Sequence, residues 1–562
     1  MVAKRRSHVG FWAVMLAGAA CQGDPAAPTA AACHSGIQPL ALSVGADIGV
    51  DPLASGGCVI IAANGSSTDS AEYLLVPQVS TTDPDYHTSF RITGGQPILA
   101  APPLAELLQA PPPSPAQQFH DRLRLMEQQG TYPLPAGPPP PGLVAPSVLG
   151  AGPADTVGNP RTFKVLSNIT NTTLFNSVPA TAKSVGTHII LYVDNAAPAN
   201  GLTTADYDKL RSDFDTLLYA VDTTAFGRES DLDGNGRVIV LMTNTVNKLV
   251  TQAECPVSGF VTGFFFGADI APATHAQWNN GEIFYSMIAD SGATLSCSHP
   301  NSQVKRLIPV TFIHEFQHMI SFNQHVLLRS VGSEALWLNE GMSHYAEERG
   351  GLAFLKAGDS TRFCEHVRGD LYNFGLYLTN PGSYPLVTVS GTGSLEERGA
   401  EWSFVRYLVD QFAADTTLAA ADAFTRQMVQ TSATGTDNVS QHTNQPFATL
   451  ARRWVLANWA SDLPGFAAPS TLKYKRWAFR SDFPALHNSC TAALPATFPL
   501  AAPGGPGGAI SLTGIMWAGS AGAYQRALQG PGGAQFTLLF SDGAGALLQQ
   551  SMLPRLNVLR IR

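Results

Sequence analysis

The chain has 562 residues, with 34 Lys and Arg against 42 Asp and Glu, a net charge of −8 and only 14% charged residues. That length holds about two to four domains, each able to bury a core of ordinary size. The acidic balance, with no basic stripe, gives no support to a nucleic-acid partner.

Lys4-Arg5-Arg6 is followed by an apolar run over residues 9–20. The run is too short to span a bilayer and reads as a secretory signal. Leu16-Ala17-Gly18-Ala19-Ala20-Cys21 is close to a bacterial lipobox, with Gly18 where Leu is usual. Two outcomes stay open: lipid anchoring at the outer surface through Cys21, or cleavage nearby and release. Residues 22–32 are small and Pro-rich, and read as a tether. Residues 33–98 alternate apolar and polar side chains between Gly breaks, which predicts a small antiparallel β domain. Residues 99–158 are rich in proline and read as a linker or a propeptide segment, with an isolated helix over 116–129.

Residues 159–465 carry the chemistry. Strands are expected at 188–193 and 237–243, helices at 204–220 and 401–412, and a further strand at 281–288. Asp231-Leu232-Asp233-Gly234-Asn235-Gly236 matches the first half of a calcium loop. Position twelve is Met242, where calcium needs a bidentate Glu, and a strand follows instead of a helix. Asp231, Asp233 and Asn235 are therefore either an Asx-rich turn or a Ca²⁺ site completed from elsewhere.

His314-Glu315-Phe316-Gln317-His318 is the most informative stretch. Residues four apart on a helix share a face about 6 Å apart along the axis. Two imidazoles so placed can close on one Zn²⁺, and Glu315 can reach a metal-bound water as general base. Pro309 marks the expected helix start. A catalytic zinc needs a third protein ligand, and Glu340 lies on a second predicted helix one hairpin downstream. His344, four residues on, shares its face and can orient it. Glu347 and Glu348 read as a solvated helix end, with a bond from one of them to a zinc histidine as the alternative.

His314-Glu315-Phe316-Gln317-His318-Met319-Ile320, followed by Trp337-Leu338-Asn339-Glu340-Gly341-Met342, resembles the hyicolysin family of bacterial zinc metallopeptidases. The resemblance covers mainly residues 185–350. It implies an α+β, zincin-type catalytic domain with an HExxH helix, peptide-bond hydrolysis, His314, His318 and Glu340 as zinc ligands, and Glu315 as base. In such folds the strand upstream of the zinc helix, here 281–288, edges the substrate cleft. The metzincin pattern fails, because Ser321 and Gln324 stand where it needs Gly and His. His325 is one residue out of place and reads as a surface or helix-end histidine.

No spacing rule selects the oxyanion donor among Tyr345, Tyr372, Tyr377, Tyr384 and Tyr407. Residues 466–562 are rich in Gly and Pro with strand-like runs, and read as a C-terminal β-rich domain. Setting Cys21 aside, six cysteines remain, as expected of disulfides in an exported chain. Proximity favours Cys33–Cys58 and Cys255–Cys297, leaving Cys364–Cys490, among fifteen connectivities. The expectation is an exported zinc endopeptidase acting on protein or peptide substrates. The alternatives are a non-catalytic surface binding protein on the same scaffold and a zinc hydrolase of a non-peptide amide. Cleavage preference and oligomeric state leave no signature.

Overall fold

The structure, a computed structural model, describes residues 33, 36–94, 114–135, 155–388 and 393–562. The signal, Cys21 and the tether lie outside the described residues. The N-terminal part holds β1 (Asp47–Val50), β2 (Cys58–Ile61), β3 (Ala71–Val79), β4 (His87–Thr93) and helix α1 (Pro115–Gln129). Then come β5 (Pro160–Leu166), β6 (Phe175–Val185), β7 (Ile189–Asp194), α2 (Thr204–Asp213), α3 (Tyr219–Ala225), β8 (Val238–Met242), β9 (Gly263–Phe265) and β10 (Ile283–Ser286). The helical half comprises α4 (Asn301–Phe322), α5 (Leu336–Lys356), α6 (Ser360–Thr379), α7 (Leu395–Phe412), α8 (Leu418–Val429), α9 (Gly435–Thr443), α10 (Phe447–Ala460) and α11 (Phe479–Ser489). Last are β11 (Gly504–Pro506), β12 (Ser511–Trp517), β13 (Gln525–Gln529), β14 (Phe536–Asp542) and β15 (Pro554–Arg560).

The central sheet runs β5-β6-β7-β8-β10-β9, with β7, β8 and β10 parallel. β8 is Val-Ile-Val-Leu-Met and buried throughout, as a strand covered on both faces must be. α4 packs against this sheet, with Phe312 edge-on to Phe284 at 5.0 Å. The strand upstream of α4 is not the sheet edge. β10 lies between β8 and β9, and β9, antiparallel to it, forms the edge.

The separate β domains expected at the two chain ends are one structure. Their strands interleave in two sheets, β1-β15-β3-β13-β11 and β12-β4-β14-β2. β3 pairs with β13 and β15, and β4 with β12 and β14. Among the described strands, none from residues 47–93 pairs with another from that stretch. Alternating Tyr73 and Leu75 face a core with Phe90, Phe540 and Val558, while Leu74 and Val76 join the core of the helical half. β3 is therefore buried on both faces, and residues 33–98 cannot close a core by themselves. Nor is the C-terminal stretch β throughout: its first part holds α11, with Trp477 and Phe479 in the main core.

The three expected disulfides are all present: Cys33–Cys58, Cys255–Cys297 and Cys364–Cys490. The last fastens α6 to the end of α11. Among the described residues, no helix is long and apolar enough to cross a membrane.

Residues 33–98 expressed alone should give a disordered chain by far-ultraviolet circular dichroism. Mixed with residues 500–562, they should gain strand signal. A folded isolated 33–98 fragment would contradict the interleaved sandwich.

Candidate metal centre

α4 begins after Pro300, not at Pro309, which lies inside the helix. Proline removes one backbone donor, but the turns before it still form, so the breaker signal misplaced the start by two turns. Downstream, α4 carries His314, Glu315 and His318, and α5 carries Glu340. One turn apart on α4, His314 Nε2 and His318 Nε2 lie 3.2 Å from each other, and the crossing of α5 brings Glu340 to them. Glu340 places Oε2 3.6 Å from His314 Nε2 and Oε1 3.4 Å from His318 Nε2. Atoms at 2.0–2.1 Å from a tetrahedral zinc stand about 3.3 Å apart, so the three side chains fit that ion.

Burial sharpens the fit. Glu340 and His318 are each 1% exposed. Among the described residues, both Glu340 carboxylate oxygens lack a hydrogen-bond partner. An ionised carboxylate withdrawn from water needs a cation or donors. Burial by itself raises its proton affinity, but Arg398 at 3.7 Å and the two histidines outweigh that and hold the carboxyl well below its ordinary range. Glu340 thus faces the histidines as an anion.

Neighbouring side chains hold these three groups in place. His314 Nδ1 meets Glu347 Oε1 at 2.7 Å, which directs the Nε2 lone pair inward. His344 does not touch Glu340: it meets Glu347 at 3.0 Å and Asp370 of α6 at 2.9 Å. Ser343 Oγ lies 3.1 Å from His314 Nε2 and donates to Glu340 O. Glu347 and Glu348 are not a solvated helix end. Glu348 is fully buried and accepts from Trp402 Nε1 at 3.2 Å and Trp477 Nε1 at 3.0 Å. Gly341 explains how α7 comes so close, since a Cβ there would stand 2.8 Å from Glu401 O.

Glu315 is 1% exposed. Its Oε2 accepts from Phe265 N of edge strand β9 at 2.8 Å. Burial raises its proton affinity, the direction a general base at neutral pH requires. Oε1 lies 3.7 Å from His120 Nδ1, on α1. That helix is not isolated: it lies over the centre and along β9. Phe119 packs edge-on to Phe264 at 5.2 Å, and Arg124 Nη2 donates to Phe265 O at 2.8 Å. Asp121 stands 3.5 Å from Arg398.

Other expected candidates lie elsewhere. The Tyr377 hydroxyl bonds Ser520, and that of Tyr407 donates to Thr471 O. Tyr372 is 37% exposed. Tyr345 is buried, with Arg406 over its ring. His325 is buried in the last turn beyond α4, 3.8 Å from Glu334, and is not a surface residue. Asp231 and Asp233 gather with Glu282 in a second cluster.

Glu347→Ala should weaken metal affinity about 10–100-fold, read by competition with a chromophoric chelator. Wild-type affinity in that variant would rule out an orienting role for Glu347.

No protein-family model matches the chain. The chain is similar to the neutral metalloprotease ShpI of Staphylococcus hyicus, with 24% identity over 201 residues. The match spans 32% of this chain and 43% of that relative, less than half its length.

Proposed function

We propose that the protein is an exported zinc endopeptidase of the zincin type, acting on protein or peptide substrates. The observation that carries this reading is the buried convergence of His314, His318 and Glu340 with Glu315 beside them. Similarity to a bacterial metalloprotease supports it. The three disulfides agree with an oxidising, exported setting.

A zinc ion held by these three residues supplies Lewis-acid activation of water and of the scissile carbonyl. Glu315 removes the water proton as the peptide carbonyl is attacked, then delivers it to the leaving amine. Phe265 N–H fixes one oxygen of Glu315 and leaves the other free for that proton. β9 is the sheet edge beside the centre, where an extended peptide adds as a further strand.

α1 occupies that edge. Arg124 takes the Phe265 carbonyl that a substrate N–H needs, and His120 stands against Glu315. The form described is therefore closed, and turnover requires α1 to move off β9.

Glu315→Gln should retain one zinc per chain while kcat/KM on casein falls about 10²–10⁴-fold. Undiminished activity in that variant would overturn the reading. Stripping zinc should abolish activity in the wild type, and adding it back should restore it. The pair Phe119→Ala with Arg124→Ala should raise kcat/KM severalfold by loosening α1. A drop to the Glu315→Gln level would instead make α1 part of the catalytic surface.

A further inference from the structure

Glu282 ends the loop before β10 and is 1% exposed. Its Oε1 accepts from Ser230 Oγ and from Leu232 N at 3.0 Å. Its Oε2 is buried and has no hydrogen-bond partner among the described residues. One carboxylate oxygen from each of Glu282, Asp231 and Asp233 lies within 4.8 Å of the others. The last two belong to the half calcium loop that lacks its twelfth-position Glu.

We propose that Glu282 supplies the missing carboxylate, so that Asp231, Asp233 and Glu282 form a second metal site, for a hard divalent cation of the calcium class. The donors are all oxygen, which suits Ca²⁺ and disfavours zinc. The loop is shaped for close approach: Gly234 and Gly236 have φ of 70° and 68°, and Gly236 N donates to Asp231 Oδ1 at 2.9 Å. Asn235 bonds Asp233 through both its backbone N and its Nδ2. Among the described residues, the ion pair made by the three acids is Arg161 with Asp233 at 3.6 Å. One guanidinium faces this acidic cluster, and nothing among the described residues satisfies its buried oxygen. A divalent cation removes that deficit.

The placement joins two strand starts. The acidic loop runs into β8, Glu282 runs into β10, and Ile239 N donates to Glu282 O at 2.8 Å. These strands pair in parallel, Ile283 opposite Ile239. β10 in turn carries β9, whose Phe265 N–H holds Glu315. Cation binding at the loop thus braces the side of the sheet on which the candidate base depends. The inference does not rest on zinc at His314, His318 and Glu340.

The test is calorimetric titration of CaCl₂, and separately MgCl₂, into the full zinc-loaded chain, with melting temperature and zinc content read in parallel. Wild type should bind one Ca²⁺ with Kd of about 10⁻⁴–10⁻³ M, as extracellular calcium modules do, and melt at a higher temperature with calcium. Glu282→Gln and the exposed-site variant Asp231→Asn should each weaken binding at least about tenfold and lose the calcium-dependent rise, with zinc content unchanged. The second variant guards against misfolding of the first. Absence of binding heat and melting shift in the wild type would overturn the proposal. So would wild-type calcium affinity in both variants, or magnesium binding as tight as calcium.

Discussion

Both carboxylate oxygens of Glu340 are buried with no hydrogen-bond donor among the described residues. Taking such an anion out of water costs several kcal/mol unless a nearby positive charge compensates it. Arg398 stands 3.7 Å away, and the imidazole nitrogens of His314 and His318 face the same point. Much of the helical half follows from keeping that anion in place. α4 and α5 must cross at one register, and α7 must bring Arg398 to their crossing. Close approach is possible because small residues line it. A Cβ on Gly341 would strike Glu401 O, and one on Gly399 would stand 2.4 Å from Asn373 O.

A buried polar network is stabilising only when its members are mutually satisfied. Here satisfaction spreads outward from His314, His318 and Glu340. Glu347 takes a bond from His314 and another from His344, and His344 bonds Asp370. The first and last of these links cross between helices, so α6 is tied to the centre through Asp370. Glu348, on the opposite side of α5, accepts from two tryptophans and pairs with Arg406. One helix thus presents consecutive glutamates to two separate networks, and neither faces solvent. That arrangement makes α5 an axle of the domain, which is why nearly all of Leu336–Lys356 is buried.

What the sequence disclosed depended on distance along the chain. His314 and His318 sit one helical turn apart, and Glu340 lies one hairpin later, so helical spacing alone brought them into view. Glu347 was partly visible for the same reason, being on the helix of Glu340. Arg398, His120, Asp370 and Glu282 were not visible, because no periodicity relates residues from different elements. The strands show the same division. Alternation marked 71–79 as strand, but pairing with 525–529 and 554–560 is set by which surfaces close a core. Charge and breaker rules failed where tertiary packing overrode them. Glu348 is an acid at zero exposure because two tryptophan N–H groups and Arg406 receive it. Pro309 sits within a helix because α4 gains enough burial to absorb one lost bond.

The interleaved sandwich constrains how α1 can act. β3 is the middle strand of its sheet, and each described strand of residues 47–93 relies on C-terminal partners. Discarding everything before the central sheet would leave β13 and β15 without the strand between them and uncover the core residues of the helical half on which Leu74 and Val76 pack. The N-terminal segment therefore belongs to the working fold, and α1 remains connected to it along the chain. A tethered cover competes with substrate at an effective concentration fixed by its linkers, unlike a released inhibitor, which dilutes away. Access to β9 would then be governed by a local equilibrium between docked and undocked α1. Phe119 on Phe264, Arg124 on Phe265 O and His120 beside Glu315 weight it toward the docked state.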